Sequence, residues 1–253
     1  MAYILAVANQ KGGVGKTTTV LNLGLAIAAK GKRVLLVDLD PQASLTVSMG
    51  YDPYQLERSS YSLLLYPEIS LARVIQTRNS RVALIPGSVD LASAAIRLVQ
   101  EQYPLGRLRT ILRENRFSFD YILIDTPPGL NVLTVAGLIA ADELVIPTQC
   151  NHSAMLGIRA MQDIIRRIRT GLGNPDLKLR GVLATFFDED AVYATPVLDE
   201  IRALLPNQVF RAQVPYDARV ADAPHTGKAI IDYEPESEAA KAYIDLADEI
   251  LVS

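Results

Sequence analysis

Cysteine is almost absent from this 253-residue chain: Cys150 stands alone, histidine occurs twice and tryptophan is missing. A lone thiol excludes an internal disulfide and a multi-cysteine zinc site, and it suits a reducing, cytoplasmic setting. Two histidines leave little room for His-rich metal chemistry. No apolar stretch reaches the roughly 18 residues a membrane-crossing helix needs. The longest, near Val132 to Ala141, stops at Asp142 and Glu143. The N-terminus has no basic segment ahead of its short apolar run, so no signal peptide is expected and a soluble protein is. Neither charge sign dominates: 25 Lys+Arg face 28 Asp+Glu, a net charge of −3. That balance argues against coating nucleic acid with the whole surface and leaves room for a local basic patch. Hydrophobic residues are plentiful at 49 %, against 21 % charged, which provides a sizeable core and excludes global disorder.

Apolar β-like runs alternate with helical patterns along the chain. Strands are predicted at Tyr3–Ala8, Arg33–Asp38, Val82–Pro86, Tyr121–Asp125, Glu143–Pro147, Arg180–Phe186 and Val209–Val214. The runs are continuous rather than alternating, as for strands covered on both faces. Helices are predicted at Thr17–Lys30, Leu91–Gln102, Gly106–Arg116, Leu130–Ala141, Ala154–Leu172, Val192–Leu205 and Ser237–Leu251. Thr17–Lys30 is apolar on most sides, which predicts a buried helix, with Gly31 placed as its C-cap. Strands alternating with helices give an α/β fold: a doubly wound, mostly parallel sheet with helices on both faces. Tyr51–Ser70, with Pro53 and Pro67, is the least regular stretch and reads as a surface excursion with short helices. No repeat, low-complexity tract or long linker divides the chain, so residues 1–253 read as a single domain.

The strongest local signal is Asn9-Gln10-Lys11-Gly12-Gly13-Val14-Gly15-Lys16-Thr17-Thr18, which leaves a strand and enters a helix. That context is what a phosphate-binding loop requires. Glycines let backbone N–H groups converge on phosphate oxygens, and the helix N-terminus adds its dipole. Lys16 can reach the β/γ-phosphates and the Thr17 hydroxyl can ligate Mg²⁺. The match to G-x-x-x-x-G-K-[ST] is imperfect, because Gln10 stands where the first Gly belongs.

Lys11-Gly12-Gly13-Val14-Gly15-Lys16-Thr17-Thr18 resembles the deviant Walker A motif of the ParA/MinD ATPase superfamily, the P-loop NTPase fold. The resemblance runs on through Val37-Asp38-Leu39-Asp40-Pro41-Gln42, similar to the family's second strand and switch I. Ile124-Asp125-Thr126-Pro127-Pro128 resembles its Walker B and switch II, and Ile146–Cys150 and Ala223–Lys228 resemble later ParA/Soj blocks. These blocks cover nearly the whole chain in order. The resemblance implies ATP and Mg²⁺ as ligands, with Lys11, Lys16 and Asp40 catalytic. Lys11 would reach the partner subunit's phosphates in an ATP-sandwich homodimer, and Asp40 would orient the attacking water. Gly12, Gly13, Val14, Gly15, Thr17 and Thr18 complete the phosphate cradle. Thr17, Asp38 and Asp125 form the implied metal set; Asp125 would act through water, and Asp38 would hold either the metal shell or the loop. Phe186, Pro215 and Asp217 match the positions that contact adenine. Pro127 and Pro128 stiffen the segment ahead of Gly129, as suits a loop that senses the γ-phosphate.

Small ParA proteins bind DNA without sequence specificity as ATP dimers and are stimulated by a ParB-like partner, so the resemblance implies a cytoplasmic, nucleoid-associated DNA-partitioning ATPase. The physics needs a cationic strip. Gly157–Arg180 carries six cations, Arg159, Arg166, Arg167, Arg169, Lys178 and Arg180, against Asp163 and Asp176. Helical spacing puts Met161, Ile164, Ile165 and Ile168 on a core face and Arg159 and Arg166 outside. Arg219 and Lys228 add thinner basic character later in the chain. Where DNA-binding relatives often carry a basic residue, Phe187-Asp188-Glu189-Asp190 is acidic. Two alternatives stand beside this reading: a ParA-like ATPase that positions a protein cargo through an adaptor, and a MinD-like membrane-cycling ATPase. The acidic tail, Glu234, Glu236, Glu238, Asp245, Asp248 and Glu249, would be repelled by an anionic bilayer, so no membrane partner is expected. A small-molecule kinase or synthetase on the same loop lacks a legible second substrate pocket.

Overall fold

The apolar strand runs serve two separate cores, and the strand period explains how. In the computed structural model, which describes residues 2–102 and 104–252, Ile4 and Ala6 face one core while Leu5 and Val7 face the other. Leu35 and Val37 against Val34 and Leu36 repeat the division. Successive strand side chains point to opposite faces, so a run apolar at every position is buried twice.

The strands are β1 (Tyr3–Val7), β2 (Val34–Asp38), β3 (Gln76–Thr77), β4 (Val82–Ile85), β5 (Tyr121–Asp125), β6 (Glu143–Gln149), β7 (Lys178–Phe187) and β8 (Val209–Pro215). They form one eight-stranded sheet in the order β3-β4-β2-β5-β1-β6-β7-β8. All neighbours are parallel except β3, which runs antiparallel to β4. The helices are α1 (Lys16–Ala29), α2 (Ser44–Ser48), α3 (Ser60–Leu65), α4 (Leu91–Gln100), α5 (Arg107–Glu114), α6 (Val132–Ala140), α7 (Ala154–Gly171), α8 (Ala194–Leu204), α9 (Ala218–Asp222), α10 (Ile230–Tyr233) and α11 (Glu238–Leu251). Helices α3 to α8 contribute to the core on one face, and α1, α2, α10 and α11 to the core on the other. This is the predicted doubly wound α/β architecture.

Helix α1 packs on the sheet alongside α11, which itself covers β8, and its residues from Thr19 to Ala28 are buried. Gly31, at φ 89°, follows its last turn as predicted. Three local expectations change. Strand β3 was not predicted: two residues at the sheet edge carry too little pattern to read. Helix α3 falls inside the expected surface excursion, yet Leu63, Leu64 and Leu65 are 0–2 % exposed, because their apolar run plugs the core beside β4. Strands β6 and β7 are longer than predicted and end at Gln149 and Phe187. The edges of the sheet are blunted: β3 is two residues long, and at β8 the Glu249 carboxylate accepts from the backbone N–H groups of Arg211 (3.1 Å) and Ala212 (2.8 Å). Among the described residues, no helix is long and apolar enough to cross a membrane.

Candidate nucleotide site

Strand order reverses around β1, which lies between β5 and β6. In open parallel sheets ligands gather at the carboxyl ends of the strands beside such a switch point. The loop from Asn9 to Gly15 leaves β1 there and enters α1. Two positions in it need glycine: Gly13 and Gly15 sit at φ 71° and 82°, in the left-handed region. Asn9 is buried and ties both sides of the loop together. Its Nδ2 donates to the Pro147 carbonyl (2.8 Å), while its Oδ1 accepts from the Lys11 N–H (3.1 Å). At the other end Thr185 Oγ1 donates to the Val14 carbonyl (3.0 Å).

Lys16 is the first residue of α1 and only 6 % exposed. Its Nζ donates to the Lys11 carbonyl (3.2 Å), which points the ammonium across the loop. Burial lowers its pKa, and the Asp125 and Asp40 carboxylates push it back up. Thr17 Oγ1 donates to Asp125 Oδ2 (2.7 Å), and Asp125 Oδ1, fully buried, has no hydrogen-bond partner. A buried carboxylate oxygen without a partner is costly. Next to a threonine hydroxyl in a phosphate loop, that donor set fits Mg²⁺, which takes one or two carboxylates and completes its shell with phosphate and water. Among the described residues, no group of three His, Cys, Asp or Glu could hold a metal on its own.

Asp38 and Asp125 are register partners at the ends of β2 and β5, and both are 0 % exposed. Burial raises the Asp38 carboxyl to about 6, against hydrogen bonds from Thr46 and Asp40 that lower it. Burial and then the Asp38 charge raise Asp125 well above the usual carboxylate range. Of the two predicted roles, Asp38 fills the loop-holding one: Oδ1 accepts from the Asp40 N–H (3.0 Å), and Oδ2 from the Thr46 N–H (3.0 Å) and Oγ1 (2.7 Å). Asp40, 9 % exposed, follows two residues later, and its Oδ1 accepts from the Gln42 N–H (2.9 Å).

The segment after β5 touches the phosphate loop. Gly129 N–H donates to the Gln10 carbonyl (3.0 Å), and the Pro128 ring is 3.7 Å from where a Cβ on Gly12 would stand. Lys11 is exposed, and its Nζ lies 3.5 Å from Ser153 Oγ at the start of α7. Phe186, Pro215 and Asp217 line one small cleft together with Gly15 and Thr18. The Phe186 ring lies against Tyr216, centroids 6.3 Å apart, which the sequence reading missed because no spacing links the two. Asp217 caps α9, and its carboxylate is taken up by the Arg219 guanidinium, which holds its pKa below the usual range.

The predicted cationic strip is only partly free. Met161, Ile164, Ile165 and Ile168 are buried and Arg159, Arg166 and Arg167 exposed, as their spacing requires. Arg166 pairs with Asp163 (3.4 Å) and Arg169 Nε donates to the Leu177 carbonyl. Arg180 leaves the strip: it is half-buried, and it donates to the Glu249 carbonyl and lies 3.6 Å from Glu143. Arg219 is held by Asp217 (2.9 Å) and Glu234 (3.8 Å), whereas Lys228 is exposed. Asp188, Glu189 and Asp190 join Asp245, Asp248 and Glu249 around a groove of about 1110 Å³.

A strand, a glycine-bent loop, a helix-opening Lys-Thr pair and a strand-end aspartate at a sheet switch point define a phosphate-loop protein of the P-loop NTPase class. The AAA domain family AAA_31 matches residues 2–179. The sporulation initiation inhibitor protein Soj of Bacillus subtilis is 38 % identical over 99 % of this chain and 98 % of its own. The chromosome partitioning protein ParA of Caulobacter vibrioides is 38 % identical over 98 % and 93 %. A solved structure named cobyrinic acid a,c-diamide synthase, from Mycobacterium smegmatis with bound ATP analog and magnesium, is 35 % identical, with a TM-score of 0.85 over 99 % of this chain and 95 % of that one. The chain belongs to the ParA/Soj family of P-loop ATPases.

Proposed function

We propose that residues 1–253 act as one DNA-partitioning ATPase domain that binds ATP with Mg²⁺, closes into a sandwich homodimer, holds DNA without sequence specificity and hydrolyses ATP when a ParB-like partner engages it. The observation that carries the reading is the Thr17–Asp125 pair with its unpartnered Asp125 Oδ1, set directly beside Lys16 in a glycine-bent loop. Mg²⁺ there supplies charge neutralisation on the β- and γ-phosphates. Loop N–H groups and Lys16 bind and orient the phosphates in a site preorganised for their charge. Asp40, at the carboxyl end of β2, orients the attacking water. Lys11, exposed at the rim, is placed to reach a partner subunit's nucleotide. Phe186, Pro215 and Asp217 border the base, with Asp217 acting through backbone and Arg219 rather than a free carboxylate. In this reading the exposed Arg159, Arg167 and Lys228 face DNA, and the acidic groove stays on the solvent side. On this reading the protein works in the cytoplasm, associated with the nucleoid.

Adaptor-borne protein cargo is the second reading. The acidic groove favours it over DNA at that end of the sheet, since it suits a cationic protein segment. A membrane-cycling role finds no support in α11, whose apolar face (Ala239, Tyr243, Leu246 and Ile250) is spent on the core.

Sizing with ATP and random-sequence duplex tests the proposal. Wild type dimerises and binds DNA with ATP, and Lys11→Ala does neither. Asp40→Ala dimerises and stays on DNA without turnover. An Asp40→Ala protein that hydrolyses ATP at the partner-stimulated wild-type rate refutes the catalytic assignment.

A further inference from the structure

The five residues Leu39 to Ala43, which carry Asp40, leave β2 at Asp38 and return to it at Thr46. The return is closed by side chains that the ATPase reading leaves without a role. Thr46 Oγ1 donates to Asp38 Oδ2 (2.7 Å) and accepts from the Gly87 N–H (2.8 Å), so both capacities of one buried hydroxyl are used. Thr46 N–H donates to the same Oδ2 (3.0 Å). The other oxygen, Oδ1, accepts from the Asp40 N–H (3.0 Å). A Cβ on Gly87 would stand 2.8 Å from Asp38 Cγ and 3.0 Å from each oxygen, so backbone packs directly on the carboxylate and leaves it one orientation. Ser60 Oγ fixes the strand end from another side by donating to the Asp38 carbonyl (2.7 Å). The loop is held shut against resistance: Ala43 sits at φ 51°, a region that L-residues with a Cβ avoid.

We infer that Thr46 is a positioning residue for ATP hydrolysis, acting through Asp38 to fix the backbone from which Asp40 addresses the attacking water. This rests on the reading of Asp40 as the water-orienting carboxylate. Thr46 is fully buried, and its hydroxyl is taken up by Asp38 and Gly87. Its hydroxyl sets the Asp38 carboxylate, the carboxylate sets the Asp40 N–H, and the Asp40 side chain inherits that placement. Displacing a reacting group by about 1 Å costs on the order of 100-fold in rate. Substrate binding is carried by the loop after β1, so the effect falls on kcat rather than KM.

The test compares wild type, Thr46→Val, Thr46→Ser and Asp40→Ala in steady-state turnover of ATP with Mg²⁺, with circular dichroism as the fold control. Thr46→Val keeps the shape and removes the hydroxyl; it is expected to lower kcat by about tenfold or more while KM for ATP stays within about twofold. Thr46→Ser keeps the hydroxyl and is expected within about threefold of wild-type kcat. The inference is overturned by wild-type kcat in Thr46→Val, by a loss in KM alone, or by a Thr46→Ser loss as large as that of Thr46→Val. Should Thr46→Val not fold, Thr46→Ser decides: near-wild-type kcat supports the inference and a tenfold loss overturns it. Asp40→Ala separates the two levels. If it turns over like wild type, the catalytic reading of Asp40 falls. If it is inactive while Thr46→Val matches wild type, only the role of Thr46 falls.

Discussion

Asp125→Asn should make the nucleotide-free protein more stable while disabling it. Asp125 is fully buried, faces the equally buried Asp38 and leaves one oxygen unpartnered. The cost of such a site is visible on Asp38 too, whose carboxyl burial raises to about 6. Asp125 is raised by the same burial, and the Asp38 charge adds to it. An amide removes the charge and keeps an acceptor for Thr17 Oγ1. Against this stands about 1 kcal/mol for exchanging a charged acceptor for a neutral one. An unpartnered buried acceptor costs about 1–3 kcal/mol, so the net expectation is a stabilisation on the order of 1 kcal/mol at pH 8 without Mg²⁺ or nucleotide, or roughly 2–4 °C in melting temperature. The sign of the pH dependence follows from the raised folded-state pKa. Wild type carries the full penalty when both carboxyls are ionised, and sheds it as pH falls through the folded pKa toward the unfolded one. The advantage of Asp125→Asn therefore shrinks between pH 8 and pH 5. Urea denaturation with EDTA at pH 8 and pH 5 measures it. A variant less stable than wild type at pH 8, or an advantage that grows as pH falls, would refute the assignment of a strained carboxylate pair. With ATP and Mg²⁺ the same variant should lose turnover by at least about 100-fold.

Two further expectations are independent of that pair. Arg159→Glu combined with Arg167→Glu should weaken ATP-dependent DNA binding and reduce the slope of log K against log salt by about 2, whereas Arg219→Ala, already neutralised by Asp217 and Glu234, should leave the slope nearly unchanged. An unchanged slope in the double variant places the DNA face elsewhere. Gly181→Ala should destabilise by about 1–3 kcal/mol in urea melts, because its Cβ would stand 2.8 Å from Cε2 of the buried Phe210 ring; a neutral result would mean β7 and β8 can part without cost.

The phosphate loop was legible because its chemistry is local: Gly13, Gly15, Lys16 and Thr17 act within a few residues of each other, and strand and helix flank them in sequence. The strand runs were legible because double burial makes them apolar at every position. Thr46, Gly87 and Ser60 were not, since a threonine, a glycine and a serine spread over 42 positions acquire meaning only when β2 and β4 pair and α3 packs beside them. The basic strip illustrates the opposite limit. Composition located Arg180 and Arg219 correctly as cations, but a charge count along the chain cannot see Glu143, Glu234 or the Glu249 carbonyl arriving from distant segments.

The blunted sheet edges bear on how copies of this chain can meet. An open parallel sheet ends in rows of backbone donors and acceptors that invite another strand, and with it fibrous growth. Here β3 offers two residues, and Glu249 occupies the N–H groups of Arg211 and Ala212 on β8, so side-by-side extension has little to grip. The proposed nucleotide-dependent dimer would then form away from these rims, at the strand ends that carry Lys11 and Lys16. A molecule whose assembly is to be timed by a nucleotide needs that restriction, because a contact that forms unconditionally cannot be used as a clock.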